Sequence, residues 1–139
     1  MPAMTPAERD AFLAETRLGI LATLRDDGSP VAVPVWFDWD GAAVRVFTSV
    51  LSQKVRRLER EPRASLLVVN RVGEPEAWVA FDGEVTITQE GAFELAERLA
   101  RRYWDLTDPE HNAELERWRA AARALRVLAL IPARIRSSR

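Results

Sequence analysis

The sequence predicts a mainly β domain, a closed or partly closed antiparallel barrel of about six strands with helices. Three observations carry this. Asp-Gly pairs at Asp27-Gly28 and Asp40-Gly41 each separate two apolar runs, a strong hairpin signal. Val44, Val46 and Thr48 alternate with Arg45 and Phe47 at the strand period of two. Helical spacing is confined to short stretches, the longest of them a late insertion between strands.

Along the chain, Thr5 and Glu8 have the capping-box spacing, and Phe12 and Leu13 supply the apolar side of a helix over about residues 5 to 15. Gly19 to Leu24 is the first strand. Val31 to Trp39 is the second, antiparallel to it, and Val44 to Thr48 the third, so that a three-stranded meander is expected. Ser49 and Ser52 offer N-caps for a helix whose Leu51, Val55 and Leu58 share a face, and Pro62 ends it near Glu61. Arg63 to Asn70 and Glu76 to Thr88 are strands four and five, with Gly83 marking a bulge or bend. Gly91 to Trp104 places Phe93, Ala96, Leu99, Ala100 and Tyr103 at helical spacing, and Asp108-Pro109 opens a further helix carrying Leu115, Trp118 and Ala122. Val127 to Ile135 is the last strand, where Pro132 suits an edge or a bulge. No repeat or linker interrupts the chain, so residues 1–139 read as one domain.

At 139 residues and 47% hydrophobic, the chain can bury a core without staples. It has no cysteine, which excludes disulfides, thiolate metal sites and cysteine nucleophiles. One histidine, His111, leaves no pair to hold a metal or complete a triad, so no metal is expected and His111 reads as a polar residue opening a helix. Net charge is −1, which gives no general attraction to nucleic acid. The first residues read as a capped helix rather than a signal peptide, and no stretch approaches the length of a membrane span; a cytoplasmic protein is expected.

Of 20 basic residues, only Lys54 is a lysine. It stands with Arg56 and Arg57 near the start of the helix after strand three, while Glu59 and Glu61 stand near its end. That order opposes the helix dipole. A bound anion would resolve the conflict, because free N–H groups, the Ser49 and Ser52 hydroxyls and the cations could converge on a phosphate. A solvated helix end with splayed basic side chains is the competing reading, and the spacing alone leaves both open.

The run Val46-Phe47-Thr48-Ser49-Val50-Leu51-Ser52-Gln53-Lys54, then Leu58 and Glu61-Pro62-Arg63-Ala64-Ser65-Leu66-Leu67, resembles the cofactor-phosphate segment of the pyridoxamine 5′-phosphate oxidase-like split barrels. With Gly28-Ser29-Pro30, Pro34-Val35-Trp36-Phe37 and Asp40-Gly41, the chain is most similar to their deazaflavin (coenzyme F-420)-dependent branch. The resemblance implies the FMN-binding split-barrel fold, a homodimer with cofactor sites at the subunit interface, and a phosphate contacted by Thr48, Ser49, Ser52 and Lys54, with Gln53 also among the cofactor-binding positions. It also places the ring along Val35, Trp36 and Phe37. FMN-binding oxidases of this family usually carry Ser-Arg-Lys where this chain has Ser52-Gln53-Lys54, which favours F-420 over FMN and leaves Arg57 as second cation. A C-terminal basic and aromatic signature of true pyridoxamine phosphate oxidases is absent.

Strand periodicity puts Trp36 and Trp39 on opposite faces, one of them in the core. Trp78, at the start of strand five, is a candidate for the substrate pocket or for packing. Arg101, Arg102, Tyr103 and Trp104 read as a helix end whose cations suit its dipole. The leading reading is therefore an oxidoreductase passing a hydride from F-420 to a small unsaturated or planar substrate, with no residue named as catalytic because the cofactor carries the chemistry. The alternatives are an FMN-dependent oxidase or flavin reductase on the same fold, and a non-catalytic flavin or haem carrier or sensor. Nucleic-acid and membrane partners are not expected.

Overall fold

A computed structural model describes residues 2–139. Helix α1 spans Pro6–Ala14, with Thr5 as N-cap accepting from the Glu8 N–H. Strands β1 (Gly19–Leu24) and β2 (Pro30–Val35) form the first hairpin, and β3 (Asp38–Trp39) and β4 (Val44–Ser49) the second. Then follow α2 (Gln53–Arg60), β5 (Arg63–Val69), β6 (Trp78–Thr88), α3 (Ala92–Tyr103), α4 (Pro109–Ala120), a short 3-10 turn and β7 (Leu125–Ser138).

The seven strands form one antiparallel sheet in the order β2-β1-β5-β6-β7-β4-β3. Its two edge strands, β2 and β3, are consecutive in the chain, separated only by Trp36 and Phe37. The sheet must therefore curl until its edges meet at that bend, which is how the barrel closes. The expected second strand, Val31 to Trp39, is thus two half-strands. β2 pairs with β1, β3 pairs with β4, and the expected meander exists only through the bend.

Leu21, Phe37, Val46, Leu66, Val68, Val79, Phe81, Leu128 and Leu130 fill the barrel interior. A second core lies between the sheet and α3, where Leu95, Ala96 and Leu99 meet Leu125, Val127 and Ala129. Alternate residues of β7 therefore serve opposite cores, which is why Val127 to Leu130 reads as an unbroken apolar run. The last strand is not an edge: β7 lies between β6 and β4. Pro132 sits opposite Gly83, at the register shift between Asp82 and Gly83. Gly83 is required there, because a Cβ would lie 2.1 Å from the Ile131 carbonyl oxygen.

Candidate functional site

β4 ends at Ser49, and a tight turn leads to α2, whose N-cap is Ser52. The Ser52 hydroxyl accepts from the Val55 N–H at 3.4 Å, and the Ser49 hydroxyl from the Leu51 N–H at 3.2 Å. The N–H groups of Gln53 and Lys54, in the first turn, have no acceptor within the helix. That turn holds no acidic residue. Arg57 and Arg60 stand in the last turn, where they suit the dipole, so the unfavourable end of α2 reduces to Lys54 and Arg56.

Lys54 leans from this turn into a cleft of about 410 Å³. Leu18, Pro34, Val35, Trp36, Val46, Phe47, Trp104 and Trp118 complete its lining. Burial, and then the neighbouring Arg57 charge, push the Lys54 ammonium below its ordinary pKa. Among the described residues no carboxylate lies within ion-pair distance of it, and Arg56 and Arg57 are likewise without one. A half-buried cation without an anion beside it costs solvation that none of the described residues returns. A bound anion would return it and restore the pKa.

The cleft wall is aromatic. Trp36 stacks on Tyr103 at 5.1 Å between ring centres and 2° between planes, and meets Trp104 edge-on at 4.8 Å. Trp118 stacks on Trp104 at 5.3 Å and lies 5.1 Å from Phe47. His111 stacks on the far side of Trp104 at 4.4 Å.

The structure brings Val35, Trp36 and Lys54 together in this cleft. Thr48, buried, and Ser49, exposed, are at the end of β4, and Ser52 caps α2. Gln53 and Arg57 line a separate surface groove with Arg25, Asp26, Asp27, Arg56 and Arg60. One expectation needs correction. Phe37 is fully buried among the barrel core residues and gives no surface to the cleft, because the β2–β3 bend sends consecutive side chains to opposite sides. Trp78 pairs with Val69 and Ser138 at one end of β6, ten residues before Thr88. Thr88 faces Val127, which faces Phe47 of the cleft, so Trp78 is not a wall of this cleft within one chain.

The sequence reading missed Leu18, Trp104 and Trp118. Trp118 falls in α4 with only Leu115 buried, so the helix offers it little core to join. Trp104 stands just past the end of α3. Two tryptophans at the thinly packed ends of an insertion were the available signal.

Comparison with known proteins agrees with this geometry. Residues 5–138 match the sequence profile of the family described as pyridoxamine 5′-phosphate oxidase. Over 97 residues, 67% of this chain and 68% of the relative, the chain is 36% identical to a biliverdin reductase of Mycobacterium tuberculosis (strain CDC 1551 / Oshkosh) dependent on reduced coenzyme F-420. A solved F-420 reductase superimposes with a TM-score of 0.74 at 25% identity, covering 91% of this chain and 94% of that one. A conserved hypothetical protein of Mycobacterium tuberculosis superimposes at 0.79 and 26% identity, covering 96% of this chain and 84% of that one. Since nearly the whole chain matches the profile, and the barrel closure and the strand-to-helix turn at Lys54 lie inside the matched region, this protein belongs to the pyridoxamine 5′-phosphate oxidase family.

Proposed function

We propose that this chain is an oxidoreductase that binds coenzyme F-420 in the cleft of Trp36 and Lys54 and passes a hydride to a small, unsaturated or planar substrate. The observation that carries the reading is the unpaired, half-buried Lys54 at the start of α2, facing a wall of aromatic rings. The similarity to a biliverdin reductase dependent on reduced F-420 and to an F-420 reductase supports the choice of cofactor.

The residues present suit such a group. Lys54 and the free first-turn N–H groups of α2 would hold its phosphate, with the Ser49 and Ser52 hydroxyls alongside. Val35 and Trp36 would lie against the ring. When bound, the deazaflavin supplies the hydride. The chain supplies orientation and dryness: Pro34, Val35, Val46, Phe47 and Trp118 offer no group that competes for a proton. Among the described residues no cluster of metal-ligating side chains occurs, and no helix is long and apolar enough to cross a membrane.

We read the working form as a cytoplasmic homodimer. The support is a broad groove of about 910 Å³ with Ala22, Pro30, Ala64, Ile131 and Ala133 in its lining, and the exposed Leu67 and Val69 on β5. Of the apolar stretch Val127 to Ile131, α3 and the barrel interior cover Val127 to Leu130, and Ile131 is exposed.

The deciding experiment is titration of the purified protein with F-420 and with FMN, followed by turnover of the loaded protein with conjugated acceptors. Tighter binding of F-420 and hydride transfer are expected. Preferential binding of FMN would move the protein to the oxidase branch, and binding without turnover with any acceptor would make it a carrier.

A further inference from the structure

Tyr103 occupies an unusual place at the last turn of α3. Its hydroxyl donates to the carbonyl oxygen of Arg17 at 2.5 Å and accepts, over a longer 3.4 Å, from the N–H of Phe37. Arg17 immediately precedes Leu18, and Phe37 immediately follows Trp36. Leu18 and Trp36 are both walls of the Lys54 cleft. One phenol oxygen thus bridges the backbone beside two wall residues that are far apart in sequence, on the approach to β1 and at the bend where the barrel closes. The Tyr103 ring does a second thing. It lies flat against the Trp36 indole, 2° from parallel, so α3 supplies a face that holds the plane of a ring standing in the β2–β3 bend.

The neighbouring Arg102 provides a contrast. Its guanidinium donates to the carbonyl oxygens of Leu13 and Glu15, at 2.9 and 2.7 Å, tying α3 to the end of α1. Neither bond reaches a residue adjacent to a cleft wall. The Arg102 guanidinium also lies 5.8 Å from the centres of the Phe37 and Tyr103 rings, so it backs the same corner; of the two side chains only Tyr103 hydrogen-bonds to backbone beside the cleft walls.

We propose that Tyr103 is a positioning residue, whose hydroxyl and ring fix the spacing of Leu18 and the plane of Trp36 so that the cleft accepts a planar ring. This rests on the cofactor cleft proposed above, and it adds a role for α3 that does not depend on contact with the cofactor. The fixed wall matters because a ring gains from stacking only over a wall already held parallel to it; a wall that must be ordered on binding loses that gain to entropy. Burial raises the phenol pKa, so the hydroxyl keeps its proton, and with it the bond to Arg17, across the neutral range.

The test uses the full chain with Tyr103→Phe, Tyr103→Leu and Gly83→Ala, each measured for thermal stability, for F-420 affinity and for the Trp36 indole N–H resonance, assigned by its loss in Trp36→Phe. Tyr103→Phe is expected to bind F-420 about fivefold more weakly, the scale of one neutral hydrogen bond, and Tyr103→Leu more weakly still because the ring is also lost. The Trp36 resonance should shift or broaden in both, without ligand. Gly83→Ala, which strains the β6–β7 bulge outside the cleft lining, should lose stability with affinity and the Trp36 resonance unchanged. Affinity that tracks stability alike in Tyr103→Phe and Gly83→Ala, or a Tyr103→Phe protein with wild-type affinity and resonance, overturns the proposal. If wild type binds neither F-420 nor FMN, the functional reading fails instead. The ligand-free resonance of Trp36 then decides the positioning claim: an unmoved signal in Tyr103→Leu overturns it.

Discussion

The groove over the bulge of β6 and β7 and the aromatic cleft are two concave surfaces of the molecule, and the larger of the two is the less promising. The groove over the bulge of β6 and β7, about 910 Å³, is more than twice the volume of the aromatic cleft, about 410 Å³. Yet the Asp82 charge in that groove is answered within the chain. Asp82 accepts from Ser65 at 2.6 Å and from two nitrogens of Arg136 at 2.6 and 2.9 Å. In the aromatic cleft the charge is left open, since Lys54 has no carboxylate partner among the described residues. Arg17 makes the same point from the other direction: it is a buried cation, and it is bound to Glu74, Glu15 and the Phe12 carbonyl. A fold that satisfies its buried arginine so fully, and leaves its single lysine unsatisfied beside a wall of rings, points to the smaller cavity. Volume measures space, whereas an uncompensated charge measures what the space lacks.

Four measurements would break or sharpen this contrast. The largest effect is expected in the groove and on stability alone. Gly83→Ala would drive a Cβ against the Ile131 carbonyl oxygen, so a loss of about 3 kcal/mol is expected, at the upper end for overpacking. Denaturant unfolding measures it, and the protein that remains folded should bind cofactor as wild type does. A large loss of affinity at unchanged stability would transfer the site to the groove.

Lys54→Ala should show the opposite pattern. Affinity for F-420 is expected to fall by about 1.5 to 3 kcal/mol, the range for a hydrogen bond to a charged group. Stability should hold or rise, because a cation in the first turn opposes the helix dipole. A fluorescence titration alongside thermal melts reads both, and lost stability with unchanged affinity would make Lys54 structural.

Asp82 gives a smaller effect that depends on pH. Its carboxyl is held down to about 2, chiefly by the Arg136 hydrogen bonds against the opposing effect of burial. Because the folded value lies below the unfolded one of about 3.9, the carboxylate adds stability above that unfolded value and loses it as pH falls toward 2. Asp82→Asn should therefore flatten the acid limb of stability between about pH 4 and 2, with cofactor affinity at neutral pH unchanged. An unaltered acid limb would show that Asp82 is not paired in solution.

The smallest effect uses inorganic phosphate as a probe. An anion that binds only the folded state stabilises it by mass action, here by about 1 kcal/mol or less at tens of millimolar. Wild type should gain more than Lys54→Ala in a thermal melt. Equal gains would mean that phosphate binds elsewhere, the Arg25, Arg56, Arg57 and Arg60 groove being the other cationic surface near α2.

How much of this was readable beforehand varies with the range of the interaction. Gly19 to Leu24 is a strand in both the sequence reading and the structure, and the helices begin within a residue or two of their expected caps at Thr5, Ser52 and Asp108. These features rest on contacts a few residues apart, so spacing reveals them. Lys54 was legible for a related reason. A lone lysine among arginines, in the first turn of a helix, is a local anomaly of charge.

Tertiary structure decided everything that depends on which distant segment arrives alongside. Trp36 and Phe37 are adjacent aromatics on one extended stretch, and nothing local says which is core. The barrel closes between β2 and β3, and that closure puts Phe37 inside and Trp36 in the cleft. Trp104 and Trp118 reach the same cleft from an insertion between β6 and β7, more than sixty residues further along the chain. A helix period reports which side of a helix is apolar, but not which cavity that side will meet. The strand-to-helix turn that presents Lys54 was therefore written in neighbouring residues. The aromatic wall it faces exists only because a sheet with consecutive segments at its two edges has to curl shut.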